Sequence, residues 1–255
     1  MRGEIASPEW CGENGERRWS LGGRRIHGVS RETSTPTTSR VFHVKHRHLF
    51  QREFGTELRS EAVDRLACHA ELLERWNRVV RLVGEAEPRE WIRRHYAESV
   101  AAGAYWRATT GEGSGEPGLL DIGSGAGFPG LVLAALHPER PVTLVEARER
   151  KAAFLAEAAR ELDLPNVRTV RQRFDGDLAS RLAGAVECAT IRGLRLPEPT
   201  MTRLVEALPE GGRLVVWAGR RVATGLLDTC VVEQEMNPPD SPHRRILCLR
   251  PLRRG

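Results

Sequence analysis

The run Asp121-Ile122-Gly123-Ser124-Gly125-Ala126-Gly127-Phe128-Pro129-Gly130 packs one carboxylate and four glycines into ten residues. Leu119, Leu120 and Ile122 around Asp121 suit a short strand buried on both faces. The glycines reach backbone angles closed to other residues and let a ligand approach the main chain. Pro129 suits the first turn of a helix, and Leu131-Val132-Leu133-Ala134-Ala135-Leu136 continues it. Strand, glycine turn and helix together predict a nucleotide-like ligand at the carboxyl end of the strand. Downstream, Val142-Thr143-Leu144-Val145 predicts a second strand ending at Glu146. A carboxylate there can accept hydrogen bonds from both hydroxyls of a ribose. Without a ligand the same turn would leave Glu146 to cap the following helix.

The glycine spacing narrows the ligand. The dinucleotide fingerprint G-x-G-x-x-G/A needs a small residue where Phe128 stands, and no Lys follows the glycines as a phosphate-binding P-loop requires. The remaining pattern, D-x-G-x-G-x-G-x-P-G, resembles the first motif of class I S-adenosylmethionine (SAM) methyltransferases. That resemblance implies SAM as cofactor.

Elements that would position this site alternate from residue 118 onward, as in a parallel sheet with helices on both faces. Strands are predicted near 118–122, 142–146, 167–171, 186–190, 212–218, 229–235 and 244–250. Helices are predicted at 128–137, 149–162, about 175–183, 197–208 and 220–228. The fold class is therefore α/β: a seven-stranded, mostly parallel, Rossmann-like sheet. Ahead of it, Leu58, Val63, Leu66, Ala67, Ala70, Leu73, Trp76 and Val80 recur at helical spacing over 57–83. A second helix is predicted from Pro88, with Trp91, Ile92, His95, Val100 and Tyr105 on its apolar side. These helices form an N-terminal cap over 41–108. A Gly-rich linker at 109–117 joins it to the methyltransferase domain at 118–255.

Residues 1–40 have no apolar periodicity and read as a disordered leader, or as a basic arm through Arg17, Arg18, Arg24 and Arg25. The resemblance described below begins abruptly near Val41, so a native start at that residue is expected. His43, His46 and His48 are close together but lack the partners of a metal shell, and are expected at the surface with no metal. Five scattered cysteines without a C-x-x-C pair fit free thiols rather than disulfides or zinc. No apolar run approaches the ~20 residues of a membrane span, and a cytoplasmic location is expected. The 39 Lys and Arg against 34 Asp and Glu give a net charge of +5, which favours a polyanionic partner such as RNA.

Several further segments match one family in order and spacing. They are Trp76-Asn77, Arg94-His95-Tyr96-Ala97-Glu98-Ser99, the glycine motif, Arg150-Lys151-Ala152-Ala153-Phe154-Leu155 and Thr190-Ile191-Arg192. The chain resembles the small-subunit ribosomal RNA guanine-N7 methyltransferases, also called glucose-inhibited division protein B, over about 42–250. The resemblance implies SAM-dependent methyl transfer to N7 of a guanine in 16S rRNA, with the rRNA or the small ribosomal subunit as partner; a monomer is expected. It implies that Gly123 and Phe128 line the SAM pocket, with Phe174 and Asp175 beside the adenine; Gly125, Gly127 and Glu146 are expected there from the turn and the strand end. Arg192 would stand near the methyl donor, and Arg94, His95, Arg150 and Lys151 would face RNA. The chain departs from the family pattern at Arg81, at Gly193 and at Ala218, where a lysine is usual.

The residue types suit this chemistry. Guanine N7 carries a lone pair and no proton, so in-line transfer needs positioning rather than a general base. The end of the fourth strand, Thr190-Ile191-Arg192-Gly193, lacks the D/N/S-P-P-F/Y sequence of exocyclic-amine methyltransferases. Cys188 is followed by Ala189, unlike the Pro-Cys nucleophile of 5-methylcytosine formation. Arg192 either bonds guanine O6 or forms a salt bridge to the SAM carboxylate or Asp175. His95 either stacks on a base or bonds a phosphate, or ties the cap to the sheet. Arg150 and Lys151 oppose the dipole of the helix they begin, which favours a functional role. Two other classes stay open: a nicotinamide-dependent oxidoreductase, disfavoured by Phe128, and a non-catalytic RNA-binding paralogue.

Overall fold

The computed structural model describes residues 46–55, 57–84, 87–107, 118–219, 224–238 and 243–252, together with two short strands near the start. The chain divides into two units, Met1–Phe42 and His43–Gly255. In the first, β1 (Trp10–Cys11) pairs antiparallel with β2 (Arg18–Trp19). The rest of the expected leader, the start at Val41, His43 and the linker at 109–117 lie outside the described residues.

The second unit opens with helices. α1 (Arg47–Phe54) has no strong sequence signature, since only Leu49, Phe50 and Phe54 are apolar in it. It is held to α2 (Ser60–Asn77) by Arg47, which donates to Asp64 and, at 2.8 Å, to the Ser60 hydroxyl. His46, expected at the surface, is instead buried, with Nε2 3.1 Å from Glu74 Oε2. It immediately precedes α1 and reaches the last turns of α2 through Glu74. α2 buries Val63, Leu66, Ala67, Ala70 and Leu73 on one stripe, each large aliphatic side chain contributing ~1.5–3 kcal/mol. The helix stops at Asn77, short of the predicted 83, because the Asn77 side-chain oxygen accepts from the N–H groups of Leu82 and Val83.

α3 (Pro88–Trp91), a π-helical turn (Ile92–Tyr96) and α4 (Ala97–Arg107) follow as consecutive helical segments. Then strands and helices alternate: β3 (Leu119–Ile122), α5 (Gly130–Leu136), β4 (Val142–Glu146), α6 (Glu149–Glu161), β5 (Val167–Arg171), α7 (Gly176–Arg181), β6 (Cys188–Ile191), α8 (Glu198–Ala207), β7 (Arg213–Ala218), α9 (Thr224–Leu227), β8 (Cys230–Met236) and β9 (Arg245–Pro251). The sheet order is β5-β4-β3-β6-β7-β9-β8. β5, β4, β3, β6 and β7 are parallel, and β9 inserts antiparallel between β7 and β8. The seven-stranded, mostly parallel sheet is as the sequence predicts.

The chain runs outward from β3 to β5 and then returns across β3 to β6. This reversal opens a crevice at the carboxyl ends of β3 and β6. One core cluster joins α1, α2 and the π turn to α5 and α6. A second lies between the sheet and α7 and α8. No described helix is long and apolar enough to cross a membrane.

Candidate active site

β3 delivers the glycine turn into the crevice. The N–H groups of Gly123 and Ser124 both donate to Val145 O, at 2.8 and 3.1 Å, which lashes the turn to the end of β4. Gly125 and Gly127 hold φ of +55° and +85°, a region that favours glycine. Asp121 braces the turn from below. Its carboxylate accepts from the Thr190 hydroxyl of β6 at 2.7 Å and from Gly130 N at the start of α5 at 3.2 Å. Burial pushes this carboxyl up to about 6 against those hydrogen bonds. A Cβ on Gly130 would stand 2.7 Å from Asp121 Oδ2, so this helix start has room only for glycine.

Glu146 ends β4 at 7% exposure. Oε2 accepts from Gly125 N at 3.0 Å and Oε1 from Arg148 N at 2.8 Å. The carboxylate thus holds the turn and the approach to α6 together, and each oxygen retains acceptor capacity. Nothing but backbone at 3.7 Å and the amine of Lys151 at 3.9 Å would meet a Cβ on Gly125. An open main-chain cradle beside a strand-end carboxylate fits an adenosyl group with its two ribose hydroxyls. Lys151 is half-buried over this turn, while Arg150 is exposed.

Phe174 and Asp175 follow β5. Phe174 is buried in the second core cluster. Asp175 caps α7, accepting from Leu178 N at 2.8 Å, and borders an open depression of about 430 Å³ with Gln172, Asp177, Ser180 and Arg181. The helical cap reaches the turn through His69, which the sequence reading did not single out. His69 Nε2 donates to Ala126 O at 3.0 Å, and Nδ1 accepts from the Tyr96 hydroxyl at 2.8 Å. Burial lowers its pKa to about 4, so the ring is neutral near neutral pH. Phe128 packs edge-on to His69 and Tyr96 and stacks on His95, with centroids 5.0 Å apart.

At the end of β6, Arg192 does not meet Asp175, one of the partners expected for it. Asp175 is occupied as a helix cap, and the carboxylate partner of Arg192 is Glu98, at 2.7 Å. The same nitrogen lies 2.7 Å from His95 Nδ1, which accepts from it, so His95 links the cap to the sheet. Burial lowers the pKa of Arg192 to about 10, with Glu98 acting in the opposite sense. Trp217, near the end of β7, donates from Nε1 to Glu98 Oε2 at 3.1 Å. Arg94 is exposed on the π turn. Ala218, standing where the family pattern has a lysine, is buried in the second core cluster.

Glu98, Trp217 and Thr190 carry no site role in the sequence reading, and Asp121 enters it only as part of the glycine motif. Their only sequence signals were membership of the Arg94–Ser99, Thr190–Arg192 and glycine segments and the departure at 217–219. Cys188 is buried within β6, and burial drives its thiol well above the ordinary range. Among the described residues no three His, Cys, Asp or Glu side chains converge as a metal site would require.

Comparison with known proteins places this geometry in a family. Residues 63–232 match the family model described as rRNA small subunit methyltransferase G. The ribosomal RNA small subunit methyltransferase G of Chromohalobacter salexigens is 32% identical over 200 residues, covering 76% of this chain and 90% of that protein. The protein of the same name from Halorhodospira halophila is 38% identical over 157 residues, covering 58% of this chain and 71% of its own length. A mutant of MtNAS in complex with S-adenosylmethionine shares the fold at TM-score 0.52 and 10% identity, over 80% of this chain and 83% of that one. The chain belongs to the rRNA small subunit methyltransferase G family.

Proposed function

We propose that this chain transfers a methyl group from SAM to N7 of a guanine in 16S rRNA, working as a monomer in the cytoplasm. The observation that carries the reading is the pairing of two unlike ends in one crevice. A main-chain cradle with Glu146 lies at β3 and β4, and a guanidinium held by Glu98 lies at β6. SAM, when bound, supplies an electrophilic methyl group on a sulfonium. Glu146 accepts the ribose hydroxyls, Gly123, Gly125 and Gly127 keep side chains out of the way, and Phe174 and Asp175 border the adenine.

The acceptor needs no deprotonation, because guanine N7 presents a lone pair. The work left to the protein is orientation and exclusion of water. Arg192 donates to guanine O6 and leaves N7 open to attack. Phe128 walls the cleft between the two ends. Arg94, His95, Arg150 and Lys151 meet the RNA around it. The state of Cys188 supports transfer to a nitrogen rather than to a pyrimidine carbon, since that thiol is kept from becoming a nucleophile. Base-resolved mass analysis of 16S rRNA, incubated with the purified protein and SAM, should show one 7-methylguanosine. Methylation at another atom, or none on both naked rRNA and small subunits, would reject the proposal. Gel filtration of the full chain tests the monomer.

A further inference from the structure

Three segments remote from one another in sequence meet at Glu98, the second residue of α4. This residue is 4% exposed. Oε2 accepts from Arg192 and Trp217, and Oε1 lies 2.8 Å from Arg244 Nη2, which donates to it. Arg192 follows β6, Trp217 lies near the end of β7, and Arg244 immediately precedes β9. Because β9 runs antiparallel to β7, its start lies at the same edge of the sheet as the ends of β6 and β7. All three donors therefore stand on the rim where the crevice opens.

The two guanidiniums differ in access. The Arg192 side chain is 10% exposed and the Arg244 side chain 25%. Arg94 adds a third cation to the field at Arg192, and Asp121 joins Glu98 as a second anion. Arg192 and Arg244 thus share one carboxylate, Glu98. A cluster of this kind is a poor way to gain stability, since well-packed apolar residues commonly do as well or better. It is a good way to present a fixed, electropositive fork to a phosphate, whose oxygens match guanidinium geometry.

We propose that Arg244 is an RNA-binding residue of the acceptor site, taking a phosphate of the target strand, and that Glu98 is the positioning residue that aims Arg244 and Arg192 together. The proposal rests on the reading of this chain as an rRNA methyltransferase. It adds a contact from the start of β9 that neither the glycine motif nor the other family segments contain.

The test uses the full chain with 16S rRNA as substrate. Arg244→Gln should raise KM for rRNA about tenfold, as expected for loss of one charge-assisted contact, with kcat little changed. Its SAM affinity by calorimetry should match wild type. The slope of log affinity against log salt should fall by about one, since one fewer phosphate is neutralised. Arg244→Lys should restore the salt slope. Glu98→Asp, which keeps the charge but shortens the reach, should lower kcat and raise KM together while the salt slope stays near wild type. An Arg244→Gln protein with wild-type KM and salt slope would overturn the proposal, as would unchanged kinetics in Glu98→Asp. Wild-type protein that methylates no rRNA would instead remove the functional reading beneath it, so the two failures are distinguishable.

Discussion

At the ends of β3 and β4 the groups that face the crevice belong to the backbone, and the buried carboxylates Asp121 and Glu146 hold that backbone in shape. At the ends of β6, β7 and β9 they are two guanidiniums and an indole gathered on Glu98. The difference suits the ligands proposed for the two ends. A cofactor of fixed shape can be met by a rigid main-chain turn. A nucleotide within a folded RNA presents a flat base edge and phosphates, which long charged side chains reach better. The first end should therefore be sensitive to backbone geometry, and the second to the removal of charge.

The largest expected effect is at the charged end. Glu98→Ala leaves two guanidiniums without their shared carboxylate and should cost about 3–5 kcal/mol of stability, read by denaturant unfolding. A loss below about 1 kcal/mol, that of an exposed ion pair, would show that these residues do not act as one unit. Next comes the backbone end. Gly127→Ala forces an L side chain to positive φ and into the side chain of Leu131. Strain and overpacking together should cost about 2–4 kcal/mol, with SAM binding weakened in the protein that remains folded. Wild-type SAM affinity in that variant would break the comparison.

Glu146→Ala tests the side chain proposed to accept the ribose hydroxyls. Each lost hydroxyl contact should cost about 1.5–3 kcal/mol of SAM affinity, measured by calorimetry on folded protein. Arg192→Lys should leave SAM affinity unchanged while methyl transfer drops by about tenfold or more, since an ammonium cannot reproduce the fork. Equal loss of SAM binding would move Arg192 to the cofactor end.

The smallest effect belongs to His69, which spans the cap and the turn. Its folded pKa, about 4, lies below the ordinary 6.5, so the unfolded chain binds the extra proton first. Its contribution is thus fully present above about 6.5 and is lost as pH falls toward 4. Asp121 acts oppositely: raised to about 6, it favours the folded state as pH falls and loses that contribution as pH rises through 6. The stability difference between wild type and His69→Phe isolates the first effect. Between pH 7 and 6 it should shrink by less than about 1 kcal/mol, and more steeply below. A pH-independent difference would mean that His69 is not neutral in the folded protein.

The backbone end was the legible one. Asp121 through Gly130 are contiguous, and Glu146 ends the neighbouring strand, so local pattern sufficed to find them. The charged end was not, because residues 98, 192, 217 and 244 become neighbours only once the sheet order is known. The place of Arg192 after β6 marks it in the sequence, but nothing local marks the carboxylate that holds it. Glu98 lies within the Arg94–Ser99 segment, whose pattern alone does not reveal its partners. α1 was missed because eight residues with three apolar positions carry little periodic signal. The seven strands were found because each is a short, β-rich run bounded by turn residues or a helix.

The π turn at Ile92–Tyr96 sets a constraint of a different kind. Ala97 N–H reaches back five residues, to Ile92 O, where an α-helix would reach four. One residue is thereby accommodated without a full α-helical advance, and everything downstream is turned by about 100° relative to an uninterrupted α-helix. That rotation lets Trp91 and Ile92 enter the core while Glu98 reaches Arg192, Trp217 and Arg244. Deleting a single residue here would restore a regular helix and swing Glu98 out of phase with its partners, even if every remaining side chain were kept. For this segment, chain length fixes the contacts of Glu98 as much as residue identity does.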